Sequence, residues 1–171
     1  IKVSSFVLFP LMVGLAVVST PLIRLILTEK WLPCVPYLQV ICIQFMLQPI
    51  QTANLQAIKA LGRSDLFLKL EIIKKIVGIL SILMVMRMGV MAIAVTEVLY
   101  SVYASVINAS PNKKMLGYGY KAQIIDIFPA VSLSLVMGII VNLYNYLQCP
   151  DIMILVLQVI TGAIIYMASA Y

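Results

Sequence analysis

The sequence contains no histidine and only three cysteines. Histidine is the most common general acid or base in enzymes, so its absence argues against most catalytic arrangements. Cys34, Cys42 and Cys149 lack the C-x-x-C spacing of a structural zinc site. The chain also has no glycine-rich phosphate loop and no paired acidic residues of the catalytic kind. We therefore expect a protein that is not an enzyme and that uses no metal or other cofactor.

Charge is equally scarce, since charged residues make up 11% of the chain and hydrophobic residues 63%. With a mean hydropathy of +1.09, too few polar side chains remain to cover a water-facing surface, which indicates an integral membrane protein. The 12 Lys and Arg outnumber the 6 Asp and Glu, but they are scattered among apolar runs and form no basic face for nucleic acid. Contact with membrane lipids and the positive-inside rule explain the excess better.

Apolar runs of membrane-spanning length predict an all-α, polytopic membrane helix bundle of about six transmembrane helices. We treat residues 1–171 as a single transmembrane region, and expect it to be the C-terminal fragment of a longer protein. Gly62 is expected to end the second helix and Ser64 to cap the third, and the segment SPNKKMLGYGYK reads as a basic loop. The predicted helices are Phe6 to Leu27, Pro36 to Ala60, Ser64 to Met86, Gly89 to Ala109, Ile124 to Leu147 and Asp151 to Tyr171.

The second predicted helix carries an amide face. At about 100° per residue, Gln44, Gln48 and Gln51 fall on one narrow side, flanked by Thr52 and Asn54. Two interpretations stay open. The amides hold neighbouring helices together by hydrogen bonds, or they line a hydrated cavity, which the bend expected at Pro49 would favour.

The third and fourth predicted helices carry charges inside the membrane. Lys69, Glu71, Lys74 and Lys75 lie on the third helix and Glu97 near the middle of the fourth. A charge at the bilayer centre costs about 2.5–3.5 kcal/mol on insertion scales, so these groups should face protein or water. An internal Glu71–Lys75 ion pair, or a basic partner for Glu97, is the structural alternative. The candidate substrate-binding residues of a cavity are Gln44, Gln48, Gln51, Lys69, Glu71, Lys74, Lys75 and Glu97.

The basic residues also predict an orientation. One side of the membrane would hold the N-terminus and the loops after the second and fourth helices, with Lys2, Lys59, Arg63, Lys69, Lys113, Lys114 and Lys121. The other side would hold only Arg24, Lys30 and Arg87. The first side is therefore expected to be cytoplasmic, and with six helices the C-terminus is cytoplasmic too.

Four stretches carry a family resemblance: FPLMVGLAVVSTPLIRLIL followed by a Trp, NLQAIKALGRSDLFLKLEIIKK, MGVMAIAVTEVLYSV, and the basic Tyr/Gly loop leading into IIDIFP. In this order they resemble the C-terminal part of bacterial lipid-linked oligosaccharide flippases, the O-antigen and exopolysaccharide branch of the multidrug/oligosaccharidyl-lipid/polysaccharide exporter superfamily. The resemblance implies a two-lobed transporter in the bacterial inner membrane. It would move an undecaprenyl-pyrophosphate-linked oligosaccharide by alternating access, together with an N-terminal lobe that this chain lacks.

Two other functions fit parts of the pattern. A drug/cation antiporter of the same superfamily would need an acid that cycles protons or sodium, and Glu97 is the mid-membrane candidate. A non-transporting membrane scaffold subunit would use the amides only to join helices. The deep lysines suit a pyrophosphate better than either alternative.

The three cysteines give a test of the predicted topology. Cys34 and Cys149 should face the periplasm and Cys42 should lie within the membrane. In single-cysteine variants, a membrane-impermeant maleimide should label Cys34 and Cys149 in cells with a permeabilised outer membrane, and should spare Cys42. Labelling of Cys34 but not Cys149 would reveal a miscounted helix. Protection of both until the inner membrane is broken would invert the topology.

Overall fold

The computed structural model describes residues 1–146 and 150–170, which form helices joined by short turns. The predicted all-α membrane helix bundle is thus confirmed. The described part of the chain includes two short 3-10 helices, at Glu29–Cys34 and Leu143–Tyr146. The α-helices in chain order are α1 Lys2–Leu27, α2 Val35–Met46, α3 Gln48–Ala60, α4 Ser64–Val85, α5 Val90–Leu116, α6 Tyr120–Asn142 and α7 Asp151–Ala170.

Among the residues that the structure describes, five segments are long and apolar enough to cross a membrane, so the chain is a multi-pass membrane protein. α4 has 22 residues, which is also a spanning length, but it carries four charged side chains between positions 69 and 75. The five apolar segments are Lys2–Leu27, Glu29–Ala60, Val90–Leu116, Tyr120–Asn145 and Asp151–Ala168.

The predicted second helix is broken at Leu47 into α2 and α3. Pro49 has no N–H to donate to a carbonyl one turn earlier, and the chain tightens before it, since the Leu47 N–H bonds the carbonyl of Gln44 at 3.2 Å. The regular pattern resumes with the Gln51 N–H and the carbonyl of Leu47, at 3.4 Å. The expected bend at Pro49 is therefore found as a break two residues earlier.

The predicted loop SPNKKMLGYGYK is mostly helical, so the prediction that the fourth helix ends at Ala109 was wrong. α5 continues through Pro111 to Leu116 and ends at Gly117, whose φ of +67° is the left-handed conformation that glycine adopts without strain. α6 begins at Tyr120 rather than at Ile124. Only three residues therefore connect these two helices.

The other helix boundaries differ less from the predicted ones. Gly62 takes the expected left-handed conformation, with a φ of +69°. Ser64 is the first residue of α4 and not its N-cap. Arg63 takes the N-cap position, and its side chain makes no capping hydrogen bond. The fifth predicted helix ends at Asn142, five residues early. Cys149 and Tyr171 lie outside the described residues.

The chain forms two compact units. Unit 1 comprises Ile1 and Gln44–Asp126, and within it α3, α4 and α5 pack against one another. Unit 2 comprises Lys2–Ile43 and Ile127–Tyr171, and within it α1 packs against α7. Tyr166 of α7 donates a hydrogen bond to the carbonyl of Phe6 at 2.6 Å, which joins these two helices.

Glycines allow close helix packing in unit 2, as is common in membrane bundles. A Cβ atom placed on Gly138 of α6 would lie only 2.5 Å from the Cγ1 atom of Val13 on α1. One on Gly14 would meet its nearest neighbour, the terminal methyl of Met137, at an ordinary 3.9 Å. Because Val13 is buried and β-branched, it has little freedom to move away from Gly138.

We predict that Gly138→Ala destabilises the protein by about 1–3 kcal/mol through overpacking, whereas Gly14→Ala is close to neutral. Thermal unfolding of the detergent-purified protein measures both. The double variant Val13→Ala/Gly138→Ala should recover most of the loss, because it removes the clashing methyl. Equal stability of the two single variants would refute the close contact.

Candidate functional site

The charges of α4 are partly neutralised within the helix. Lys74 is buried, and its ammonium bonds the carboxylate of half-buried Glu71, three residues earlier. Residues three apart lie on one face of a helix, so the pair forms without a neighbouring helix. The sequence had suggested a Glu71–Lys75 pair as one alternative, but the structure pairs Glu71 with Lys74.

Tyr100 of α5 connects this ion pair to the next helix. Its hydroxyl donates to the carbonyl of Lys74 at 3.0 Å, and its ring lies against Gly78, where a Cβ would be 3.4 Å away. Glu97 lies three residues before Tyr100 on α5, so these two residues share one face of the helix. Glu71, Lys74, Glu97 and Tyr100 therefore form one group of side chains, here called the charge cluster.

The remaining lysines of α4 are exposed. Lys69 and Lys75 have no carboxylate within 4 Å among the described residues, and neither is part of the charge cluster. In the isolated chain their ammonium groups are available to a ligand or to another part of the protein.

The three predicted glutamines have different environments. Gln51 is half-buried and donates to the carbonyl of Ser101 on α5 at 3.1 Å. Gln44 is half-buried and Gln48 is exposed. Within unit 1, only Gln51 of the three thus makes a side-chain hydrogen bond to another helix.

A buried amide network joins α3, α5 and α6 within unit 1. The side-chain amides of Asn54 and Gln123 bond each other reciprocally, at 2.7 and 2.8 Å. Asn112 donates to the Asn54 side-chain oxygen at 2.7 Å and to the Asn54 carbonyl at 3.1 Å. All three residues are at most 2% exposed. Buried amides paired in this way fix the register of the three helices.

A tyrosine and an acid continue the network. Gln123 donates to the carbonyl of Tyr118 at 3.2 Å, and the Tyr118 hydroxyl donates to Asp126 at 2.6 Å. Tyr118 lies in the short turn before α6. Burial, and then the hydrogen bond to the Asp126 carboxylate, raises the pKa of Tyr118 to about 12. Its hydroxyl therefore remains a donor throughout the physiological pH range.

Asn108 differs from these amides. It is 0% exposed, and neither its side-chain oxygen nor its nitrogen has a hydrogen-bond partner among the described residues. It lies on the same face of α5 as Ser101, Ser105 and Asn112, all of them buried. The face that α5 buries is therefore polar along several turns.

Sequence reasoning missed most of this network. It placed Asn54 only beside the glutamine face, Asn112 in a loop, and Gln123 one residue before a helix. The available signal was the spacing of Ser101, Ser105, Asn108 and Asn112, which follows one helix face past Pro111. Ending the fourth predicted helix at Ala109 hid that signal.

The structure thus defines a class: a multi-pass helical membrane protein in which charged and amide side chains are buried between helices. Comparison with known proteins narrows this class. A family model described as "Polysaccharide biosynthesis protein" matches residues 1–36. The resemblance to polysaccharide biosynthesis proteins seen in the sequence is confirmed.

Two relatives are similar to the chain. The lipopolysaccharide biosynthesis protein WzxC of Escherichia coli (strain K12) is 26% identical over 154 residues, which are 83% of this chain and 31% of WzxC. The teichuronic acid biosynthesis protein TuaB of Bacillus subtilis (strain 168) is 40% identical over 65 residues, which are 38% of this chain and 14% of TuaB. The chain thus spans less than a third of either relative. No solved structure matches it significantly.

The amide network provides a matched pair of variants. Asn54→Ala should lower the free energy of unfolding by about 1–3 kcal/mol for each of the two amides, Gln123 and Asn112, that loses a partner. Asn108→Ala should change it by less than about 1 kcal/mol, because it removes a buried amide that has no partner in the described structure. Thermal or denaturant unfolding in detergent compares them. Equal losses would contradict the assigned hydrogen bonds.

Proposed function

We propose that the chain is part of a transporter that moves a lipid-linked saccharide across the membrane for surface polysaccharide biosynthesis. The expected substrate is an undecaprenyl-pyrophosphate-linked oligosaccharide, moved by alternating access across the bacterial inner membrane. The similarity to WzxC and TuaB, both named as polysaccharide biosynthesis proteins, supports the polysaccharide class. The multi-pass helical fold provides the membrane-spanning scaffold that transport requires.

The charges of α4 carry the proposal. Glu71 neutralises Lys74. After its first turn, α4 therefore carries an excess of positive charge from Lys69 and Lys75. Exposing these ammonium groups to hydrocarbon would be costly, so the exposed face of α4 should meet water, another part of the protein or an anionic ligand. A pyrophosphate group provides acceptor oxygens that bond ammonium groups strongly.

We propose different roles for the candidate lysines. We assign Lys74 to the internal pair that stabilises α4 and its contact with Tyr100. Lys75 is the candidate phosphate ligand, because it is exposed and lies deeper in α4 than Lys69. Gln44, Gln48 and Gln51 remain candidates for the polar wall of the same cavity.

The whole activity belongs to a protein larger than this chain. The relatives extend well beyond the matched region, and the transport cavity is expected to need an N-terminal lobe of the same protein. Membrane lipids are the other expected partners. The C-terminus is proposed to be cytoplasmic, as the basic residues predict.

We predict that Lys75→Gln in the full-length protein slows export by about 10- to 100-fold, the value of one hydrogen bond to a charged group. Lys75→Arg should retain most of the export, because arginine also binds phosphate. The measurement is surface polysaccharide in a strain that lacks the chromosomal gene, with protein levels checked by immunoblot.

Two further variants separate the alternatives. Lys74→Gln should lower the protein level, and Glu71→Gln/Lys74→Gln should partly restore it, since the double variant leaves no unpaired charge. Undiminished polysaccharide in Lys75→Gln at normal protein level would remove Lys75 from the mechanism. Loss of export in Glu97→Gln alone, with Lys75→Gln active, would favour the ion antiporter. If deleting the gene leaves export unchanged, the result would favour a non-transporting scaffold subunit.

A further inference from the structure

Unit 2 contains a groove of about 410 Å³ between α1, α2 and α6. α1 contributes one face from Val13 to Thr20, and α6 contributes the face from Leu135 to Asn142. Each helix supplies residues at positions i, i+3, i+4 and i+7, which is one continuous helix face. α2 adds Gln39 and Ile43. The volume falls within the range of about 300–1,000 Å³ that is usual for small-molecule sites.

The lining is divided into an apolar part and a polar end. Thr20, Gln39, Asn142 and Asn145 form the polar end, and the other lining residues are aliphatic or glycine. Thr20 lies about 10 Å along α1 from Val13, at about 1.5 Å per residue. Arg24 follows one turn later and bonds Asp151 at 3.1 Å. The polar end therefore lies one turn from an ion pair, at the depth expected for the membrane interface.

The polar end retains hydrogen-bonding capacity. The amide nitrogen of Gln39 donates to the Ala16 carbonyl and to Ser19, which leaves its oxygen as an acceptor. The oxygen of Asn142 accepts from Asn145 at 2.8 Å, which leaves its nitrogen as a donor. The Thr20 hydroxyl can do both. None of these three groups has another partner among the described residues.

No charged residue lines the groove, as far as the described residues show. A phosphate would lack a cation there, whereas a sugar hydroxyl both donates and accepts hydrogen bonds and matches the mixed set of Thr20, Gln39 and Asn142. An ordinary lipid tail would match the apolar part but leave these polar groups unused.

We propose that this groove binds the neutral, hydroxyl-rich headgroup of a glycolipid, with its adjoining hydrocarbon against the apolar part. The ligand is an uncharged glycolipid, because a phosphate between its sugar and its hydrocarbon would meet no cation among the described lining residues. This site is therefore separate from the one proposed for the pyrophosphate-linked precursor. It would make Thr20, Gln39 and Asn142 determinants of which neutral sugar the protein accepts.

Photolabelling of the full-length protein in lipid nanodiscs tests this. The probe is an alkyl glucoside with a diazirine in its chain, and the comparison is a phosphatidylglycerol with the same diazirine. Mass spectrometry should find the glucoside on peptides covering 13–20 or 135–142, displaced by excess octyl glucoside. Thr20→Val and Asn142→Leu should each reduce this labelling by about 3- to 10-fold, the value of one neutral hydrogen bond, and leave phosphatidylglycerol labelling unchanged.

Thr161→Val is the matched control, because the Thr161 hydroxyl donates within its own helix to the Leu157 carbonyl and does not line the groove. It should leave glucoside labelling unchanged. Equal labelling by both probes would mean that ordinary lipid fills the groove, and no labelling would mean that another segment of the protein covers it. Either result overturns the proposal. If the groove is not labelled but Lys75→Gln loses export, the groove proposal fails and the proposed function stands. If the groove is labelled but Lys75→Gln exports normally, the role of Lys75 in the proposed function fails and the groove proposal stands.

Discussion

The structure depends on one constraint: burying a polar side chain is costly unless a hydrogen-bond partner within the protein compensates for the lost water. Two arrangements meet it in unit 1. Glu71 and Lys74 neutralise each other on one helix, and Asn54, Asn112 and Gln123 bond across three helices. The first arrangement neutralises Lys74 within α4, so this lysine needs no acidic partner on a neighbouring helix. The second ties α3, α5 and α6 together in a fixed register, because a slip by one residue would leave buried amides unpaired.

The two units use different packing chemistry. A network of buried amides holds unit 1 together, whereas unit 2 combines close contact at a small residue, Gly138 against Val13, with single hydrogen bonds such as that from Tyr166 to the Phe6 carbonyl. Charge follows the same division, since the intramembrane lysines belong to unit 1 and the groove of unit 2 has no charged lining among the described residues.

Hydrophobic runs were enough to predict an all-α membrane bundle and the approximate positions of its helices, because length and apolarity decide which segments cross a membrane. Prolines were harder to interpret. Pro111 lies in the segment predicted to be a loop, yet α5 continues past it, whereas Pro49 does accompany a break, at Leu47. Proline removes one donor in both cases, and only the surrounding packing determines whether the helix tolerates it. The amide network could not be predicted for a related reason. Partners such as Asn54 and Gln123 are 69 residues apart, and no periodicity in either helix identifies the other.

The position of the Glu71–Lys74 pair also bears on how the protein is made. A pair formed between two helices can exist only after both have left the ribosome. A pair three residues apart forms as soon as one turn of helix does, so α4 can enter the translocon with one of its lysines already neutralised. Each charge costs about 2.5–3.5 kcal/mol at the bilayer centre on insertion scales. The intrahelical pair therefore lowers the barrier to co-translational insertion of the most highly charged helix before α5, its packing partner, has been synthesised.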